Sequence, residues 1–200
     1  MIPPRPIACL VIAHGAGAGM AHTFMESVSG GLAHRRVATL RYQFPYMEHG
    51  SKRPDRPVVA QAAVRAAVGV ATRLAPSLPL FAGGKSFGGR MTSQAQAGAP
   101  LSNVRGLVFL GFPLHSANKP SDERAVHLSV VGIPMLFLQG TRPDIGLLAS
   151  TLERIGARAT LICIEGTDHA FHVPARSGRT DEQVLTRILD HVVEWMGHWL

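Results

Sequence analysis

Leu78-Pro79-Leu80-Phe81-Ala82-Gly83-Gly84-Lys85-Ser86-Phe87-Gly88-Gly89-Arg90 runs from an apolar segment through a glycine-rich bend into a helical pattern. Leu78–Ala82 predicts a buried strand, Gly83–Gly89 a turn and Arg90–Ala97 a helix. Gly84-Lys85-Ser86-Phe87-Gly88 has a mechanical meaning in that setting. A serine on a sharp, strained bend between strand and helix lifts its hydroxyl above the sheet, and the flanking glycines let strand and helix approach. A phosphate loop would also end in Gly84-Lys85-Ser86, but it needs a glycine five residues before Gly84. Pro79 stands there, inside the apolar strand.

The pattern repeats outward from this stretch. Ile7–Ala13, Arg36–Tyr42, Gly106–Leu110, Ile133–Leu138 and Thr160–Ile164 read as further strands. Ile7–Ala13 is a continuous apolar run, as a strand buried on both faces should be, and Gly106–Leu110 and Ile133–Leu138 read likewise. Between them lie helical patterns at His22–Ala33, Val58–Leu74 and Ile145–Ile155, the last with Gly156 placed to end it. The closing helix opens on a capping box, Thr180-x-x-Gln183, with a core face of Val184, Ile188, Val192, Trp195 and Trp199. Gln43–Pro57, Gly111–Pro120 and His172–Arg179 read as loops able to wall a site. Strand alternating with helix predicts one α/β domain over residues 1–200, a mostly parallel sheet with helices on both faces.

A serine hydroxyl is a poor nucleophile until a base takes its proton. The fold predicted here puts that base in a loop after the last strand. His169, in Gly166-Thr167-Asp168-His169-Ala170-Phe171, fits better than His172. A carboxylate must fix the tautomer of the base. Asp144 lies after the penultimate strand, so the chain order is Ser86, Asp144, His169; Asp168 is the alternative, with a loop-capping hydrogen bond as its simpler role. The oxyanion donors expected are the N–H of Phe87 and an N–H at Gly15 or Ala16 in the small-residue loop His14–Gly19. That loop also begins like a dinucleotide fingerprint. The pattern then fails, because Met20 stands where a glycine is due and Arg41-Tyr42 where an acidic residue should end the second strand.

Composition narrows the function classes. The chain is 46% hydrophobic over 200 residues, enough for a real core. No apolar run reaches the roughly 18 residues of a membrane span, and Ile7–Ala13, cut short by His14, reads as a strand rather than a secretory signal. A net charge of +7 comes from scattered arginines. Only Lys52-Arg53-Pro54-Asp55-Arg56 approaches a basic cluster, and no aromatics interleave with it, so nucleic acid is not the expected partner. Cys9 and Cys163 lie in apolar stretches and read as buried reduced thiols. His169 and His172, three apart without neighbouring cysteines, make a poor metal set.

Together His14–Gly17, Tyr42–Tyr46, Gly83–Arg90 and Asp168–Phe171 resemble the α/β-hydrolase superfamily, and within it the minimal dienelactone-hydrolase-like members. The chain is similar to a small family marked by His-Gly-Ala-Gly, Tyr-x-Phe-Pro-Tyr, Gly-Gly-Lys-Ser-Phe-Gly-Gly-Arg and Asp-His-x-Phe. Its eukaryotic relatives include a testis-expressed protein and a subunit of a histone-acetylating non-specific-lethal complex. The resemblance implies a cytoplasmic serine hydrolase without a large lid. It would cleave an ester or related acyl bond of a small molecule, with no cofactor, metal, nucleic acid or membrane partner. The chromatin relatives imply the alternative, a non-catalytic binding or scaffold protein on the same fold. One departure stands out. The family reads Gly-Thr-Arg-Asp-Pro after the penultimate strand, whereas this chain reads Gly140-Thr141-Arg142-Pro143-Asp144. The acid is displaced by one residue, about 3.3–3.8 Å of chain.

Overall fold

The computed structural model describes residues 1–114, 121–142 and 145–200. Six strands form one sheet in the order β2-β1-β3-β4-β5-β6, and every neighbouring pair is parallel. They are β1 (Ala8–Ala13), β2 (Val37–Tyr42), β3 (Leu80–Lys85), β4 (Val104–Leu110), β5 (Met135–Gly140) and β6 (Ala159–Ile164). The helices are α1 (Thr23–His34), α2 (Pro45–Glu48), α3 (Pro57–Leu74), α4 (Phe87–Gly98), α5 (Gly146–Ile155) and α6 (Asp181–Gly197). The expected mostly parallel sheet is thus wholly parallel among the described residues.

Both faces of the sheet are covered. In β1, Cys9, Val11 and Ala13 point into a core shared with α3, α4 and α5, while Ala8, Leu10 and Ile12 point into a second core shared with α1 and α6. This two-sided burial is why β1 reads as a continuous apolar run. Each fully buried Leu, Ile or Phe contributes roughly 1.5–3 kcal/mol, so the two cores carry the fold.

The chain leaves β1 for β2 on one side, then crosses to β3 on the other. The strand order therefore reverses between β1 and β3, and the crevice at their carboxyl ends is where this architecture binds ligands. Ala13 and Gly84 are in register there, so the His14–Gly19 loop and the serine bend emerge side by side.

Several boundaries differ from the sequence reading. β3 runs on through Gly83 and Gly84 to Lys85, and the bend is confined to Ser86. A Cβ on Gly83 would lie 1.8 Å from the Val108 carbonyl oxygen of β4. These glycines are thus strand residues whose missing side chains permit close pairing. The Gln43–Pro57 loop contains α2, and a 3-10 helix, Glu123–Val130, precedes β5. Cys163 is exposed, contrary to expectation, because β6 is an edge strand and most of its residues are only partly covered; Cys9 is buried. Trp199 is 40% exposed because α6 ends at Gly197, and its core face stops at Trp195 and Met196. The capping box at Thr180 and Gln183 forms as expected. No helix among the described residues is long and apolar enough to cross a membrane.

Candidate active site

Ser86 stands between β3 and α4 with φ 48° and ψ −112°, a left-handed conformation that a side chain other than glycine's adopts only under constraint. The constraint is local packing. A Cβ at Gly84 would meet the Ala13 carbonyl oxygen at 2.7 Å, and one at Gly88 the His14 carbonyl oxygen at 2.5 Å. Only glycines two before and two after the serine allow strand and helix to converge so tightly. The Ser86 N–H donates to the Leu110 carbonyl at 3.2 Å, and the Ser86 carbonyl accepts the first bond of α4 from Arg90. The N–H of Phe87 heads that helix, where backbone donors have no intrahelical acceptor and the dipole favours negative charge.

The Ser86 Oγ is 2.9 Å from His169 Nε2. His169 lies five residues beyond β6, in a loop tied to the end of β5: the Arg142 N–H donates to the Thr167 carbonyl, and Gly166 N–H to Thr141 Oγ1. Gly140 is the hinge of this contact, because a Cβ there would meet the Asp168 carbonyl oxygen at 2.3 Å. Burial and then the nearby Lys85 charge push the His169 imidazole down to about 4, so it stands neutral at pH 7 with a lone pair free to take a proton.

The competitors occupy other positions. His172 pairs with Asp181 at 2.7 Å. The Asp168 carboxylate accepts the N–H groups of Ala170 and His172 through Oδ1 and lies 4.0 Å from Arg142. It caps the loop, and its partners are backbone donors rather than the His169 ring. Pro143 and Asp144 lie outside the described residues.

A second serine–histidine pair, Ser93 Oγ to His127 Nε2 at 2.7 Å, must be distinguished from the first. Ser93 is fully buried within α4, and its hydroxyl donates to the Arg90 carbonyl at 2.9 Å. That pair joins α4 to the 3-10 helix, and Ser93, with no exposed surface, lies where a substrate carbonyl does not reach it.

The glycine loop after β1 is held from behind. The Phe44 N–H donates to His14 Nε2 at 3.1 Å, so the imidazole proton sits on Nδ1 and donates to the Gly15 carbonyl at 2.7 Å. His14 is fully buried, and burial lowers its pKa, which keeps it neutral. The Tyr46 hydroxyl donates to the Ala16 carbonyl at 2.9 Å. In a trans peptide the C=O and the next N–H point opposite ways. Anchoring the Gly15 carbonyl to His14 therefore turns the Ala16 N–H to the other side. The loop touches the nucleophile, for a Cβ at Gly15 would lie 3.9 Å from Ser86 Cβ. Sequence reading missed these supports; the Tyr42–Tyr46 motif was the available signal.

A parallel sheet with a serine on a strained strand–helix bend and a histidine in the loop after the last strand defines the class of α/β hydrolases. The chain belongs to the family described as alpha/beta hydrolase domain, whose model matches residues 6–197. Among solved structures it is similar to a dienelactone hydrolase from Anabaena variabilis, with 22% identity and a TM-score of 0.79, covering 100% of this chain and 89% of that one. It is also similar to a Xanthomonas campestris protein described as an α/β serine hydrolase without lid, with 20% identity, a TM-score of 0.72 and coverage of 98% and 86%. An α/β serine hydrolase homologue from Coxiella burnetii matches at 16% identity and a TM-score of 0.73, over 97% of this chain and 86% of that one. At these identities the likeness carries the fold.

Proposed function

We propose that this protein is a serine hydrolase that cleaves an ester or related acyl bond of a small substrate. The observation that carries the reading is Ser86, strained at the carboxyl end of β3, with its Oγ 2.9 Å from Nε2 of a neutral His169. Ser86 Oγ attacks the acyl carbonyl as His169 takes its proton. His169 then gives that proton to the leaving alcohol, and the acyl group stays on Ser86. Water, deprotonated by His169, attacks the acyl-enzyme and releases the acid, returning the proton to Ser86. The oxyanion of each tetrahedral intermediate is received by the N–H of Phe87 and that of Ala16, in the loop beginning at Gly15. Asp144 is the proposed orienting acid. What supports it is the stitching of the loop after β5 to the base loop at Thr167, together with the commitment of Asp168 to other donors.

The substrate is proposed to be a small acyl compound reached without a membrane or nucleic-acid partner, by a cytoplasmic enzyme that needs no cofactor. Hydrolysis of p-nitrophenyl acetate by wild type, Ser86→Ala and His169→Ala tests the reading. Loss of catalysed turnover in both variants is expected. A His169→Ala enzyme as active as wild type would transfer the base role to His172. Folded wild type without any turnover on a panel of short esters, thioesters and lactones would favour a binding role on this fold.

A further inference from the structure

Lys85, the residue between Gly84 and the nucleophile, has no part in the mechanism above, yet it is in contact with the base. Its Nζ donates to the His169 main-chain carbonyl. The ammonium lies 4.6 Å from the Phe171 ring centroid and 5.7 Å from that of Phe24, two rings stacked at 6.3 Å. A cation beside aromatic faces is attracted by their quadrupoles, most when shielded from water. Gly111, at φ 72°, packs against this contact. A Cβ there would meet Lys85 Nζ at 2.8 Å, the His169 carbonyl oxygen at 3.0 Å and His169 Cε1 at 3.2 Å. The bend thus reaches the base through two consecutive residues, Ser86 to the imidazole and Lys85 to the main chain.

We propose that Lys85 is a positioning residue for His169: its ammonium, held between β3, Gly111 and the two phenylalanines, fixes the main chain of the base at hydrogen-bonding distance from Ser86 and keeps a positive charge beside the imidazole. The inference rests on the Ser86–His169 reading. Its physical content has two separable parts. The hydrogen bond sets distance, and displacing a reacting group by about 1 Å can cost on the order of a hundredfold in rate. The charge opposes protonation of the base, in the same direction as burial. Burial in turn lowers the Lys85 ammonium to about 8, while Asp168 opposes that shift. Among the described residues, the charged groups around the pair are Asp168 from the base loop, Arg142 beside it from the loop after β5, and the His172–Asp181 pair at the start of α6; the carboxylate of the proposed acid, Asp144, acts against the Lys85 charge. Glu26 of α1 turns instead toward Arg41, at 3.9 Å.

Lys85→Met and Lys85→Gln separate the two parts. Methionine keeps the length and suits an aromatic cage, but has neither donor nor charge. Glutamine keeps a donor without the charge. The readouts are the imidazole titration of His169 by NMR and the steady-state constants on p-nitrophenyl acetate. In wild type the His169 signal is expected to titrate below the usual 6.5, with a second small inflection near pH 8 as Lys85 loses its proton. Both variants are expected to raise the His169 midpoint. Lys85→Met is expected to lower kcat roughly 10–100-fold with KM little changed, and Lys85→Gln to retain more of kcat. A His169 midpoint and kcat equal to wild type in both variants would overturn the proposal. A fall in kcat with an unmoved midpoint in both variants would also overturn it, leaving a structural lysine. If Lys85→Met does not fold, Lys85→Gln and the wild-type titration carry the same decision. If wild type shows no Ser86-dependent turnover, the hydrolase reading fails, while the titrations still judge the Lys85 contact.

Discussion

Removing the His14 imidazole should damage stability and catalysis by different routes, and the two can be measured apart. His14→Ala leaves the Phe44 N–H buried without its acceptor, which costs about 1–3 kcal/mol. The Gly15 carbonyl loses its donor, about 1 kcal/mol more if water does not replace it. The ring also packs edge-on against Phe44, with centroids 4.9 Å apart, and its loss forfeits about 1–2 kcal/mol of burial. The expected total is about 3–6 kcal/mol, read as a fall in the urea midpoint without a change in slope. Two near-isosteres divide the effect. Asparagine can place an amide N–H near the Nδ1 position and keep the bond to Gly15; glutamine can place a carbonyl oxygen near Nε2 and keep the bond to Phe44. If the Gly15 bond aims the Ala16 N–H at the oxyanion, kcat on a small activated ester falls less in His14→Asn than in His14→Gln. For the latter, the loss approaches the ~100–1,000-fold seen when one oxyanion donor is removed. A cost below about 1 kcal/mol in His14→Ala, or equal kcat in all three variants and wild type, would refute the reasoning.

Other outcomes follow from the same geometry. His169 must be neutral to act as base and is held at about 4, so kcat/KM should stay flat down to about pH 5 and fall only as pH drops through about 4; an acid limb near 6.5, read from a pH–rate profile, would contradict this. Asp144→Asn should reduce kcat far more than Asp168→Asn, which keeps an Oδ1 acceptor for the N–H groups of Ala170 and His172 and loses only the charge facing Arg142; equal losses in steady-state kcat would contradict this. Gly83→Ala should abolish soluble folded protein, because its Cβ meets backbone of β4 rather than a movable side chain, and circular dichroism would report this.

How much of this could be read from residues alone depended on where the physical signal lay. The strands of the sheet interior were plain because two buried faces demand unbroken apolar runs, as in Leu10-Val11-Ile12. The end of β3 was not plain, since Gly83 and Gly84 contribute no hydropathy and look like turn residues although they pair on both sides. Ser86 and His169 were legible from the motif and chain order, and the fold brings them together. The same rule that marks apolar runs as buried misplaced Cys163, because a strand at the edge of the sheet has a neighbour on one side only and its residues are covered in part. Nothing local announces that Lys85 reaches a carbonyl 84 residues away, or that Phe44 fixes the tautomer of His14, 30 residues before it. Those contacts exist only once the crossover at β1 and β3 has set the loops side by side.

A Ser86 activated by His169 must show itself as a reactive nucleophile. Reaction of the folded protein with a fluorophosphonate, followed by peptide mass spectrometry, tests it most directly. One adduct per chain is expected, on Ser86, lost in Ser86→Ala, strongly slowed in His169→Ala and unaffected in its site by the buried Ser93. A folded protein that forms no adduct on Ser86, or one that labels equally fast without His169, would contradict it.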